Sequence, residues 1–477
     1  MQSFQKYNVS EFLKDRHPYL DPPFTSNIDP TQVTLAVFFR KIPKLAACLS
    51  FENLPFHLRT DALHTLNELV SHQETKDTMI QIGILKSCAE LLISESPNVR
   101  KEAALLIGGM VTLMQGRNLL IDSEVFPPLQ DKLVDSETSV RTAVAWTLKR
   151  ILISRDGVDR IVETGTVPTM VKAFIKYANS PKRENKDYLI ELLEGFINVS
   201  QYDNGIEPML GTGLTKCLIG FLMLGNSLDE ADRINELTLN VISNMSANHN
   251  GKSEACEGMA IEVVGRFLKK KATNEQRKLA ASVIMSVSIA LNGKYQAVRC
   301  VKEDNPVVLK RLYSLLLTSV KDIRDNAKQC FLNIAELPEG LDKSVIILSK
   351  NIPILDEVFG THCIKSLARL LPKLSSYKNP PNIDQSELPM YQRCIKSLRF
   401  LIDKYEQAVN EAIDTVNIAQ KLGPFLSESS GVSEDAAHLL KKITSKCSHN
   451  KEILRVFIAT VADSDIKRNL VRFPGLV

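Results

Sequence analysis

The sequence predicts an all-α chain built as a repeat solenoid, and three observations carry that prediction. The first is composition. Of 477 residues 44% are apolar but only 6% are aromatic, with a single Trp, so burial falls to Leu, Ile, Val and Ala, the residues of helix packing rather than of sandwiches and barrels. The second is a recurring phrase, Arg-x-x-Ala. It stands at Arg59 to Ala62, Arg100 to Ala103, Arg277 to Ala280 and Arg324 to Ala327, with Val144 in the Ala place after Arg141. The third is spacing. Arg59, Arg100 and Arg141 lie 41 residues apart, Arg277 and Arg324 lie 47 apart, and the 136 residues between Arg141 and Arg277 leave room for three units. A period of about 40–47 residues belongs to stacked helical repeats.

The unit that begins near Val99 shows the expected elements in order. Ala103, Ile107, Met110 and Met114 fall on one helical stripe. Gln115-Gly116-Arg117 reads as a break, and Asn118 to Ile121 as a short helix. A second stripe follows at Val125, Leu129 and Leu133, of which Leu129 and Leu133 are expected to be buried. Asp135-Ser136-Glu137 closes the unit. The turn in the middle recurs as Ile82-Gly83-Ile84, Thr164-Gly165-Thr166, Glu257-Gly258-Met259 and Asn351-Ile352-Pro353. Gly permits the reversal and Pro suits the first turn of the next helix. A short helix followed by two longer ones is the three-helix armadillo plan, an ARM/HEAT-like right-handed superhelical solenoid. Units start near residues 58, 99, 140, 185, 233, 276 and 323. The expected organisation is an N-terminal extension (1–30), an armadillo array (31–363) and divergent C-terminal helical repeats (364–477) with a Pro-rich insertion near 375–389. A unit of this kind cannot bury its stripes alone, so neighbours share a core and present a large surface for protein partners.

The chemistry-bearing patterns are sparse. Net charge is +4 on a nearly balanced set of charges, which does not point to nucleic acid. Nine Cys, none in a C-x-x-C pair, read as small buried residues in a reducing compartment rather than as disulfides or zinc ligands. The N-terminus lacks an apolar signal region and no apolar run approaches the ~20 residues of a membrane span, so the expectation is a cytoplasmic protein with no membrane partner. Asn250-Gly251-Lys252-Ser253 lacks the upstream Gly of a phosphate-binding loop and reads as a turn between helices. The eight His are scattered. The expected class is non-enzymatic, with no cofactor, metal or small-molecule substrate.

Two surfaces remain as candidates. Armadillo proteins that carry nuclear-import cargo repeat Trp-x-x-x-Asn along their third helices: the Asn amides hold a peptide backbone and the Trp rings form pockets for basic side chains. The corresponding pairs here include His64/Glu68, Trp146/Arg150 and Glu194/Asn198, with Asn244 and Asn333 in the Asn place of later units. A single Trp cannot build repeated pockets. Lys269, Lys270 and Lys271 form a basic cluster without interleaved aromatic residues, which favours a solvated loop over a nucleic-acid site. The repeated Arg is expected to bridge carbonyls or acidic groups of the preceding repeat.

Further residues carry a family resemblance. Asn27-Ile28-Asp29-Pro30-Thr31 opens the folded part. The helix Arg59 to Leu69 follows, then Met79 to Leu85, Asn292-Gly293-Lys294-Tyr295 and Ala335 to Gly340. Over residues 27–360 the chain resembles the radial spoke head 14 homologue family, armadillo-repeat components of the ciliary axoneme. The resemblance implies a cytoskeletal scaffold of the cilium or flagellum that docks other radial spoke and axonemal proteins along its helical surface, with no catalytic residue. The alternative is a soluble armadillo adaptor that binds extended peptides for transport or signalling.

Overall fold

A computed structural model describes residues 41–51, 54–121, 126–179, 182–224, 230–299, 301–302, 305–372, 386–413, 418–427 and 432–446. The 1–30 extension, most of the 375–389 insertion and Val125 lie outside them. Regular structure among the described residues is helical, save a two-residue antiparallel pairing of Val301–Lys302 with Asn305–Pro306. The chain divides into two compact units. One holds the described residues up to Cys217 with Leu224–Leu237, the other Leu218–Met223 with the described residues from Thr238 onward.

In the first unit the long third helices are Phe56–Leu69, Pro97–Met110, Thr138–Ile151 and Lys186–Val199, each packed against the next. Between consecutive third helices run a first and a second helix, for example Gln73–Ile82 and Ile84–Leu91, or Arg155–Glu163 and Thr166–Ala178. The shared core is aliphatic: Leu63, Leu66, Val99, Ile107, Leu129, Leu133, Val144 and Leu148 are fully or almost fully buried. Leu129 and Leu133 thus sit where the stripe puts them. In the second unit Asn274–Val287 packs on Lys321–Ala335, and Leu388–Lys404 packs on Val432–Lys446. The helix Ile352–Phe359 lies against both Lys321–Ala335 and Leu388–Lys404. There it takes ion pairs from Lys328 to Glu357 and from Lys404 to Asp356.

The junction from each third helix to the next first helix departs from the sequence expectation. Met114 does not continue the stripe of Pro97–Met110; that helix ends, and Met114 opens the short helix Met114–Ile121 with its side chain 64% exposed. Gly116, expected in the break, lies inside this short helix, which starts four residues before the expected Asn118. The reason is a close approach. A Cβ at Gly116 would fall 2.3 Å from the Met110 carbonyl oxygen. The same contact recurs at Gly157 with Ile151 (1.9 Å), Gly205 with Val199 (2.2 Å), Gly251 with Met245 (2.0 Å), Gly293 with Val287 (2.0 Å) and Gly340 with Ile334 (2.1 Å). Each Gly stands six residues after the carbonyl it touches. In the first described junction Thr75 takes the Gly place, and its hydroxyl donates to the Leu69 carbonyl. Asn250 to Ser253, read as a turn, is therefore the start of the first helix His249–Glu257. In the middle turns Gly83 and Gly165 adopt φ of 85° and 69°, but in the Glu257-Gly258-Met259 turn the left-handed residue is Met259, at φ 58°.

As expected, the recurring Arg binds carbonyls at the end of the preceding unit, and in two cases it also reaches a side chain about 35–45 residues further on. Arg100 donates to the Ser94 and Glu95 carbonyls (2.9 and 3.0 Å) and, through Nε and Nη2, to both carboxylate oxygens of Asp135 (2.9 and 2.8 Å). Arg141 donates to the Asp135 and Ser136 carbonyls (2.6 and 2.9 Å) and to Asn185 Oδ1 (2.7 Å). Arg59 and Arg324 keep only the loop bond, to Phe51 (2.6 Å) and Thr318 (3.4 Å).

Candidate functional site

The third helices of the first unit place five of the candidate residues: His64, Glu68, Trp146, Arg150 and Asn198. His64 is exposed, with Nε2 3.8 Å from Glu68 and Nδ1 3.7 Å from Glu102. On the same face Asn67 donates to the Glu102 carbonyl and carboxylate (3.0 and 2.9 Å). Trp146 is half-buried and lies against Gly108: a Cβ there would come within 2.4 Å of the indole Cζ3. Its ring carries the Arg150 guanidinium 4.5 Å from the centroid, a cation–π arrangement. Asn198 donates its amide to the Lys149 carbonyl (3.3 Å). Thr147, between Trp146 and Lys149, donates to the Ala104 carbonyl (2.6 Å). These groups tie one third helix to its neighbour.

Lys149 and Arg150 are adjacent in sequence and differ in charge environment. Lys149 Nζ meets Glu191 at 2.5 Å and Glu194 at 2.8 Å, and Glu194 also pairs with Arg233 at 2.9 Å. Burial works to lower the Lys149 pKa, but the two glutamates outweigh it and leave the ammonium above its ordinary value. Burial likewise works to raise Glu194, and Lys149 with Arg233 bring its carboxyl below the ordinary range. Arg150 meets no such acid. Its Nε is buried without a hydrogen-bond partner, and burial lowers its pKa. Close by, Lys76 donates to Thr112 Oγ1 (2.6 Å), and burial first, then the Arg150 charge, hold its ammonium below the ordinary value. Lys76, Thr112 and the glutamates around Lys149 were not legible as a site, because they sit on different helices at no fixed spacing.

In the second unit Asn333 is buried and donates to the Met285 carbonyl (2.9 Å) and Ser288 Oγ (3.3 Å), while Gln329 donates to its Oδ1 (2.9 Å). Asn244 is half-buried on Ala231–Met245. Lys269, Lys270 and Lys271 are exposed on the loop between Gly265–Leu268 and Asn274–Val287, apart from the third-helix residues. That loop ends in a capping box between Thr273 and Gln276. A cleft of about 740 Å³ opens between the first helices His249–Glu257 and Leu291–Arg299. Its lining includes Glu257, Met259, Glu262, Tyr295 and Arg299, with Arg299 stacked over Tyr295 at 4.8 Å. Cys48, Cys88, Cys256, Cys330, Cys363 and Cys394 are buried free thiols, and Cys217 is half-buried. Burial pushes the Cys48 and Cys217 thiols up to about 11. Among the described residues no group of three or more His, Cys, Asp or Glu side chains is placed to hold a metal ion. No single described helix is long and apolar enough to cross a membrane.

The chain matches no protein-family model. Among solved structures, an engineered protein from a structural genomics consortium covers 90% of this chain and 97% of its own length at 17% identity and a TM-score of 0.55. The fold is an all-α armadillo-type solenoid. A designed armadillo repeat protein in complex with the peptide (KR)4 covers 52% of this chain and 99% of its own at 19% identity, with a TM-score of 0.45. A computationally designed armadillo repeat protein for modular peptide recognition covers 51% and 99% at 18% identity, again with a TM-score of 0.45. At 17% identity the likeness to the first engineered protein concerns the fold alone.

Proposed function

We propose that the chain is a non-enzymatic scaffold of the ciliary axoneme, a radial spoke subunit that docks other spoke proteins along its helical surface. The observation that carries the scaffold reading is where the third-helix polar groups are spent. Asn67, Thr147, Asn198 and Asn333 all donate to the backbone of an adjacent third helix. Bonds of this kind fix repeat to repeat, each using one N–H or O–H of its side chain. The axonemal setting rests on the resemblance over residues 27–360. Recognition in such a scaffold comes from surface area with a few anchoring side chains. The test is fractionation of demembranated cilia. Retention with spoke subunits through a high-salt wash is the expected result; recovery in the detergent-soluble fraction would favour the soluble adaptor.

A further inference from the structure

The basic residues around Thr112 lack what the neighbouring basic residue has. Lys149 is neutralised by two glutamates. Arg150, one residue on, makes no hydrogen bond or ion pair to any described residue and only stacks on Trp146. Lys76 spends one proton on the Thr112 hydroxyl and meets no carboxylate among the described residues. Arg117 completes the group, donating to the Val111 and Thr112 carbonyls at 3.1 Å each. Half-buried positive charges without counter-charge are costly in the free protein, and an incoming anion recovers part of that cost. Met114 and Ile153, 64% and 68% exposed, lie two and three residues from Thr112 and Arg150 in sequence. That apolar company suits a protein segment better than a bare polyanion.

We propose that Arg150, Lys76 and Arg117 form a docking site for an acidic extended segment of a protein partner, with a Glu or Asp carboxylate seated between the guanidinium of Arg150 and the ammonium of Lys76. Charge complementarity selects the occupant: Arg150 and Lys76 have no carboxylate partner among the described residues, and the nearby Glu191 and Glu194 are already paired with Lys149. The site deepens the scaffold reading and rests on it for the partner's identity, since a scaffold needs such anchors along its surface.

Trp146 is the only Trp in the chain, so its emission reports on this site. The experiment titrates the purified full-length protein with an alternating Glu-Ala octapeptide and follows Trp fluorescence at low and moderate salt. The expected result is a saturable change that weakens with salt, absent with the Gln-Ala and Lys-Ala peptides. Arg150→Gln should weaken binding about tenfold, the size of one half-desolvated charge contact. Lys76→Gln, which leaves the Trp146 stack in place, should weaken it several-fold, and Arg150→Glu should transfer the response to the Lys-Ala peptide. The proposal is overturned if the Glu-Ala peptide gives no response, if Lys76→Gln and Arg150→Gln bind it as well as the parent, or if a single-stranded oligonucleotide outcompetes it at this site. None of these outcomes depends on retention in cilia, so the site and the axonemal reading fail separately.

Discussion

Arg100 illustrates how one side chain joins two repeats, through its ion pair with Asp135 and its bonds to the loop before it. Both side chains are at least nine-tenths buried and share two hydrogen bonds, while the remaining Arg100 donors reach the Ser94 and Glu95 carbonyls. Removing either partner strands a buried charge, at a cost of about 3–5 kcal/mol. Arg324 is half-buried and keeps one long bond to a loop carbonyl, so Arg324→Gln should cost about 1 kcal/mol or less. Urea unfolding of Arg100→Gln and Arg324→Gln side by side checks that ordering. The pH dependence has a definite sign. Burial works to raise the Asp135 pKa, but Arg100, the Glu137 amide and Lys132 outweigh it, and the folded value lies below the ordinary one. A depressed carboxyl stabilises the fold above its unfolded pKa of about 3.9, and that contribution is lost as pH falls through the folded value. The stability gap between the parent and Asp135→Asn should therefore be widest near neutrality and close as pH falls below the ordinary carboxyl value and through the lower folded one. A gap that does not close on acidification would mean that Asp135 is not the titrating group.

At the scale of the element, the decisive feature is the glycine near the start of six described first helices. It has no special backbone angle at these positions; what matters is the missing Cβ. At Gly157 an added methyl would lie 1.9 Å from the Ile151 carbonyl, and the turn must open to admit it. Gly157→Ala should destabilise by about 1–3 kcal/mol, the usual cost of forcing atoms into a filled space. A methyl at Gly220 meets nothing within 4 Å, and Gly220→Ala, on the helix Leu214–Leu224, should be neutral or mildly stabilising. Thermal melts of the two variants decide it, and equal losses would remove the packing explanation. The repeat period and the buried stripes were legible because aliphatic spacing maps directly onto helix faces: Leu129 and Leu133 are the clear case. The glycine contact was not, although its signal was present as Gln115-Gly116, Asp156-Gly157, Asn204-Gly205, Asn250-Gly251, Asn292-Gly293 and Glu339-Gly340. Asn-Gly normally marks a turn, and that local preference hid a tertiary role. The Asn candidates were legible as third-helix residues but not in their use. Whether an amide faces outward or bonds the next helix depends on neighbours some 45 residues away, as with Asn333 and Met285.

For the whole molecule, the consequence of a repeat plan is that stability is held between nearest neighbours. A defect should then loosen the adjoining repeats before distant ones. Leu129 is fully buried between helices of the first unit, and Leu129→Ala should cost about 2–5 kcal/mol from lost burial and the cavity left behind. The buried cysteines offer a way to see where that cost is felt. Cys88, on Ile84–Leu91, is fully buried and its thiol is pushed far above the ordinary range by burial. Thiol alkylation needs the thiolate and access to it, so Cys88 reacts only through opening of its repeat. In urea too dilute to unfold the parent, Leu129→Ala should accelerate iodoacetamide labelling of Cys88, near the defect. Cys48, on the more distant Lys41–Leu49 helix, should gain less, and Cys330, in the other compact unit, should gain little. Peptide mass mapping of the labelled sites reads this gradient directly. A uniform acceleration at all three would mean that the array opens as one cooperative block, and nearest-neighbour stacking would no longer account for how the repeats hold together.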